Sequence, residues 1–229
     1  MRLSHFLFVL TCLLFVECTN DRNRETRSQS TVDHQDSIEI SPSTEAVPDE
    51  DDFIIDFGDV TLYIDSFEVW DQGFKLTKDT AIIYLELGQD IEGKTIGISN
   101  SLFKDVKLYQ SHENSISISG EGPHCDLVDW KHFNSNWESI SIKNNMATVY
   151  SYSGQERSAF VDVSMDEVRD AVREQCSDGW ASLLDSTTSI NEYPCNVLTN
   201  RIYIRVVLTN PENDLNREKL VIFEVPMGC

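Results

Sequence analysis

Positive charge is scarce in this 229-residue chain: 18 Lys and Arg stand against 39 Asp and Glu, a formal net charge of -21. Binding to phosphates rests on Lys and Arg releasing counterions, so the shortage argues against nucleic acid and anionic lipid head groups as partners. Cationic partners and divalent ions stay open, and charge that serves solubility explains the balance equally well. No apolar stretch reaches the roughly 20 residues that span a bilayer. Several recognised catalytic patterns are also missing. There is no G-x-S-x-G elbow, no G-x-G-x-x-G, no H-E-x-x-H and no C-x-x-C. Paired carboxylates for glycoside hydrolysis are set by spatial separation, and so many acidic residues single out none of them.

What is present begins at the N-terminus. One cation, Arg2, precedes a run from Phe6 to Val16 that is apolar except for Thr11, the layout of a signal-peptide h-region and about half a membrane span. The run closes on Phe15-Val16-Glu17-Cys18 and turns polar at Thr19-Asn20-Asp21-Arg22. This boundary resembles the bacterial lipoprotein signal, in which cleavage falls before a cysteine that carries diacylglycerol. The resemblance covers these few positions and implies that residues 1–18 form the signal segment, with Cys18 lipidated and the membrane reached through that anchor. Glu17 stands where that signal has Gly, Ala or Ser. Ordinary secretion is the alternative, with Val16 and Cys18 as the small residues of an A-x-A-like site and Thr19 as the first mature residue. Both place the protein outside the cytoplasm, in the cell envelope or secreted.

Residues 19–52 are rich in Ser, Thr, Asn, Gln, Asp and Glu, with Ile38, Ile40 and Val47 almost their only large apolar side chains. Such a stretch cannot offset an ordering cost of ~1 to 2 kcal/mol per residue, which predicts a disordered acidic linker. It would act as a spacer on the order of 30 Å long. Its end, Pro48-Asp49-Glu50-Asp51-Asp52, reads as a solvated charge run. Residues 53–229 suit a single β-rich domain with a core of its own. Three Arg against ten Asp and Glu leave the linker at -7, and Arg2 and Glu17 cancel, so this domain carries about -14.

Period-2 alternation recurs through it: Val60, Leu62, Ile64; Ile96, Ile98; Ile116, Ile118; Ile140, Ile142; Ile202, Ile204, Val206. The run Ala81 to Leu87 is more continuously apolar, interrupted by Glu86, and fits a central strand. Arg201 to Thr209 and Lys219 to Val225 read as a closing hairpin. Ser164 and Glu167 form an S-x-x-E capping box, and Met165, Val168, Val172 and Cys176 follow on one helical face. Asp178 is positioned to cap a second short helix with Trp180, Leu183 and Leu184 inward. The fold class expected is α+β, predominantly an antiparallel sheet or sandwich, with one or two short helices at about 164–186.

Beyond the leader the cysteines are Cys125, Cys176, Cys195 and Cys229, an even number that favours two disulfides in an exported chain. Three pairings exist. Cys176 with Cys195 closes a loop worth ~3 kcal/mol, and Cys125 with Cys229 pins the chain end to the body.

A site is expected between His112 and Trp137, which holds His112, His124 and His132, every histidine of the domain. His124 and His132 with Asp126 or Asp129 could supply three zinc ligands, although the spacing is not diagnostic. Histidines in a polar loop are otherwise simply solvated. Trp130, Phe133 and Trp137 could stack on a sugar or hold a peptide, but their i, i+3, i+7 spacing also suits one helical face packed on the sheet. The candidate ligand-binding residues are therefore His124, Trp130, His132, Phe133 and Trp137, with no cofactor, resident metal or catalytic residue assigned. The function expected is a membrane-anchored lipoprotein that binds a protein or small ligand without catalysis or serves as a structural envelope component. The alternative is a secreted hydrolase using carboxylates or a metal near His124 and His132.

Overall fold

Apolar alternation along a strand produces two unlike faces, and burying the apolar ones together is what sets this architecture. A computed structural model describes residues 49–100, 102–120, 124–210, 212 and 215–227. The signal segment, Cys18, most of the linker and Cys229 lie outside the described residues. In chain order the elements are β1 (Phe53–Asp56), β2 (Thr61–Ile64), β3 (Val69–Leu76), β4 (Thr80–Leu85), β5 (Thr95–Ser99) and β6 (Asp105–Ile118). Short strands follow: β7 (Cys125–Asp126), β8 (Phe133–Asn134), β9 (Glu138–Ile140) and β10 (Met146–Thr148). Three helices come next, α1 (Gly154–Arg157), α2 (Met165–Gln175) and α3 (Asp178–Ser182), before β11 (Cys195–Asn210) and β12 (Leu215–Glu224).

One sheet runs β1-β2-β5-β10 and the other β3-β4-β12-β11-β6-β7, with β8 and β9 also pairing with β6. The expected α+β class, β-rich with short helices, is what forms. Pairing is predominantly antiparallel, as expected, with one parallel pair between β12 and β4. Ile55, Leu62, Ile64, Ile96 and Ile98 of the smaller sheet face Ile83, Leu108, Ile202, Ile204, Val206 and Phe223 of the larger one, all buried. At one end of this core Lys219, 1% exposed, reaches Asp59 and Asp79 at 2.9 Å each.

A second core sits at the far half of the two long strands. There Ile116, Ile118, Cys195 and Val197 pack against Val168, Ala171 and Val172 of α2 and Ala181 and Leu184 beside α3. The Ser164–Glu167 capping box forms as the spacing predicts. The cap of α3 is Ser177 rather than Asp178, because the Ser177 hydroxyl accepts from the Trp180 amide. Leu183 is exposed while Leu184 is buried.

A Cys125–Cys176 disulfide ties β7 to the end of α2. Both expected pairings, Cys176 with Cys195 and Cys125 with Cys229, are thereby overturned. Loop length carried that expectation, whereas position decides it: β7 lies on β6 against the same core that α2 covers. Cys195 is a buried free thiol, and burial pushes its pKa up to about 11, which makes it inert at neutral pH. Among the described residues no helix is long and apolar enough to cross a membrane. The disulfide is compatible with an extracytoplasmic location.

Candidate functional site

Between the two cores β6 changes character. Its apolar pattern at Leu108 gives way to Gln110, Ser111, His112, Glu113, Asn114 and Ser115, every one buried, before Ile116 and Ile118 restore it. Six successive buried polar side chains demand partners on both faces of the sheet.

On one face Gln110, His112 and Asn114 receive the segment 150–159. Gln110 donates to the Tyr150 carbonyl at 3.0 Å and accepts from the Tyr150 amide at 3.2 Å, in the manner of an added strand. Asn114 donates to the carbonyls of Glu156 at 2.8 Å and Ala159 at 3.0 Å. Ser153 and Glu156 form the capping box of α1. Glu92 accepts from the Tyr152 amide at 3.1 Å and pairs with Arg157. Burial holds the Glu92 pKa above its ordinary value, with Asp90 adding to the effect and Arg157 opposing it.

The segment so held closes a cavity of about 260 Å³ over His112, lined by Phe133, Ser135, Asn136, Glu138, Tyr150, Tyr152, Gln155, Glu156 and Ala159 as well. His112 is 1% exposed and its Nε2 lies 3.2 Å from the Glu156 carbonyl oxygen. A carbonyl only accepts, so Nε2 carries the proton and Nδ1 is left as a lone pair. That Nδ1 has no partner, and the hydroxyl of Tyr152, a residue 6% exposed, has only the Gln110 side chain near it and no close hydrogen bond. Burial lowers the pKa of His112, opposed by its contact with the Glu156 backbone, and the ring is neutral at pH 7. Burial likewise raises both tyrosines, Tyr150 to about 12, so they stay protonated. Two buried polar atoms without a close hydrogen bond, on adjoining rings whose centroids are 4.0 Å apart, mark the place where a ligand's polar groups would be satisfied.

On the opposite face Glu113 is fully compensated. It accepts from Asn200 at 2.7 Å, Tyr203 at 2.9 Å and Arg201 at 3.2 Å, and His132 lies 3.8 Å away. Burial works against the charge on Arg201, but bonds to Glu224 and the charges of Glu224 and Glu113 outweigh it and hold the guanidinium above its usual range. This network cross-links β6, β11 and β12; the Glu113 carboxylate is satisfied in it, and the buried Oδ1 of Asn200 is left without a partner.

The window predicted from sequence is therefore split. Phe133 lines the cavity with His112, while His132 faces Glu113 on the other side of the sheet. His124 lies near Ser117, with Nδ1 and the hydroxyl 3.5 Å apart, and Ser117 donates to Asp126. Trp130 packs on the helical core, and Trp137 stands over Arg205 and edge-on to Tyr203. The three aromatics share no helical face, because 133–140 is extended and paired with β6. Among the described residues no three His, Cys, Asp or Glu side chains converge on a metal position, so the proposed zinc set of His124, His132 and Asp126 or Asp129 is not assembled.

Gln110, Glu138, Tyr150, Tyr152 and Glu156 were missed in the sequence. The unbroken polar run 110–115 is a signal that could have found Gln110, and nothing local marks the other four.

Two further features compete for attention. Residues 88–95, G-Q-D-I-E-G-K-T, spell the phosphate-cradling pattern G-x-x-x-x-G-K-[S/T]. That pattern binds phosphate where a strand leads through the loop into a helix; here the loop leads into β5, and Lys94 donates to the Ser66 carbonyl at 2.6 Å. A larger cavity of about 400 Å³ lies at the β3 edge, lined by Trp70, Tyr84, Val225 and Pro226 among others. A bulge shapes it: Gln72 has φ 60°, and a Cβ on Gly73 would stand 2.7 Å from the Trp70 carbonyl. Its walls are mostly apolar and none of its lining side chains is left with an unpartnered buried polar atom. No family model, curated protein or solved structure matches the chain.

Proposed function

We propose that the protein is an exported, non-enzymatic binding protein, tethered to a membrane through Cys18, which takes a small ligand in the His112 cavity. The observation that carries the ligand site is the unpartnered Nδ1 of His112 beside the Tyr152 hydroxyl, the two buried polar side-chain atoms without a close hydrogen bond among the residues that line the cavity. A buried polar atom left unsatisfied costs about 1 to 3 kcal/mol, so a fold that keeps two beside an open space gains when a ligand pairs with them. Export is supported by the leader and by the Cys125–Cys176 bridge, and tethering by the cysteine at the end of the apolar run. A stand-off of acidic, polar residues ahead of the domain suits capture of solutes away from the bilayer.

Intact-mass measurement of the protein isolated from membranes tests the tether: diacylglycerol on Cys18 is expected, and a chain beginning at Thr19 contradicts it. A fragment-binding screen followed by NMR tests the site. Shifts should cluster on residues 110–114, 133–138 and 150–156, and ligands that map to the β3 edge instead would move the site there.

A further inference from the structure

We propose that the His112 cavity selects a small organic ammonium, one bearing at least one N–H, which donates to His112 Nδ1 and lies against the aromatic wall. The inference rests on the cavity being the ligand site and adds the chemical class.

Three properties of the lining point to this class. The bare Nδ1 can only accept, so its complement is a donor. Rings of Phe133, His112, Tyr152 and Tyr150 run in sequence, with successive centroids 6.0, 4.0 and 5.4 Å apart, and aromatic faces attract a desolvated cation by about 2 kcal/mol. The charged residues that line the cavity are Glu138 and Glu156, and no Lys or Arg lines it. Arg157, whose charge is felt by His112, is turned to Glu92. Glu138 stands at the exposed rim and bonds the Tyr150 hydroxyl. Glu156 is held ionised, its pKa lowered by hydrogen bonds from the Ser153 hydroxyl and amide. An anion would meet two carboxylates and a lone pair. A neutral alcohol satisfies the lone pair but gains nothing from charge. The cavity falls just below the span of drug-sized pockets, which fits a compact amine, and the domain's net negative charge raises the local concentration of cations.

The experiment is calorimetric titration and amide NMR of the purified full chain with 2-phenylethylammonium, with 2-phenylethanol as neutral isostere and 3-phenylpropionate as anionic one. The ammonium is expected to bind and to shift Phe133, Tyr150 and the His112 ring, with the alcohol at least tenfold weaker and the acid silent. His112→Phe, checked for folding by near-ultraviolet circular dichroism, should lose at least tenfold in ammonium affinity. Glu138→Gln, at the exposed rim and checked for folding in the same way, should weaken the ammonium several-fold and leave the alcohol unchanged. Alcohol or acid binding in the same cavity as tightly as the ammonium overturns the cation assignment and leaves the cavity as the site. Ammonium binding that neither substitution weakens overturns it too. Failure of all three probes to shift the lining overturns both the class and the cavity.

Discussion

At the scale of single residues, His112 shows how an unpaired atom becomes informative. Its Nε2 proton is fixed by a carbonyl that can only accept, and the consequence for Nδ1 follows without reference to any ligand. The same burial has a pH signature. In the unfolded chain His112 titrates near 6.5, and in the fold lower, because burial disfavours the charged ring. Below 6.5 the unfolded chain binds a proton that the fold refuses. The contribution to stability is thus full above that pH and is lost as pH falls toward the folded value. The charged groups around it, Glu138, Glu156 and Arg157, partly cancel. Urea denaturation from pH 7.5 to 5.0 should show a decline in stability that is shallower in His112→Phe; parallel slopes would contradict the assignment. The histidine itself was visible in the sequence as the start of the predicted window. Its orphaned nitrogen was not, since that depends on a carbonyl 44 residues away. His124 and His132 looked equivalent in sequence, and only the strand's alternation sends His112 and His132 to opposite faces.

Among elements, β6 decides most. Alternation identified only its end at Ile116 and Ile118, whereas the strand runs over 14 residues, because polar side chains satisfied by a network can occupy a buried strand as well as apolar ones. Gln110 holds the 150–152 segment, so Gln110→Ala should loosen one wall of the cavity. Faster amide exchange at Tyr150 is the expected result, and unchanged protection would place the anchor elsewhere. Helix α2 was legible from its capping box, a local pattern with a local cause. Ser164→Ala should lower stability by ~1 kcal/mol in urea denaturation, and a neutral effect would mean that packing alone sets the helix start. The two-residue turn at Asn144 and Asn145, both with positive φ, was not read from the sequence, although asparagine tolerates that region. By contrast the i, i+3, i+7 spacing of Trp130, Phe133 and Trp137 misled, because pairing with β6 outweighs a weak periodic cue over so short a span.

At the scale of the whole folded domain, the described residues form a sandwich extended by a second, helix-covered core, and β6 and β11 pass through both. Sequence showed the class, because many short alternating runs with segregated helices leave few architectures; it did not show the parallel β4–β12 pair or the disulfide, which depend on where distant strands meet. The Cys125–Cys176 bridge closes a separation of 51 residues, so removing both cysteines should cost roughly 4 kcal/mol; a loss near zero in urea denaturation would mean that the second core holds without it. Cys195 should resist alkylation in the native protein and react in denaturant, as read by peptide mapping. The account as a whole stands on one nitrogen. Long-range proton–nitrogen NMR of the His112 ring tests it most directly: the Nε2–H tautomer is predicted, with a bare Nδ1 whose resonance moves when 2-phenylethylammonium is added. A ring protonated on Nδ1 at neutral pH, or an Nδ1 resonance indifferent to the amine, would contradict it.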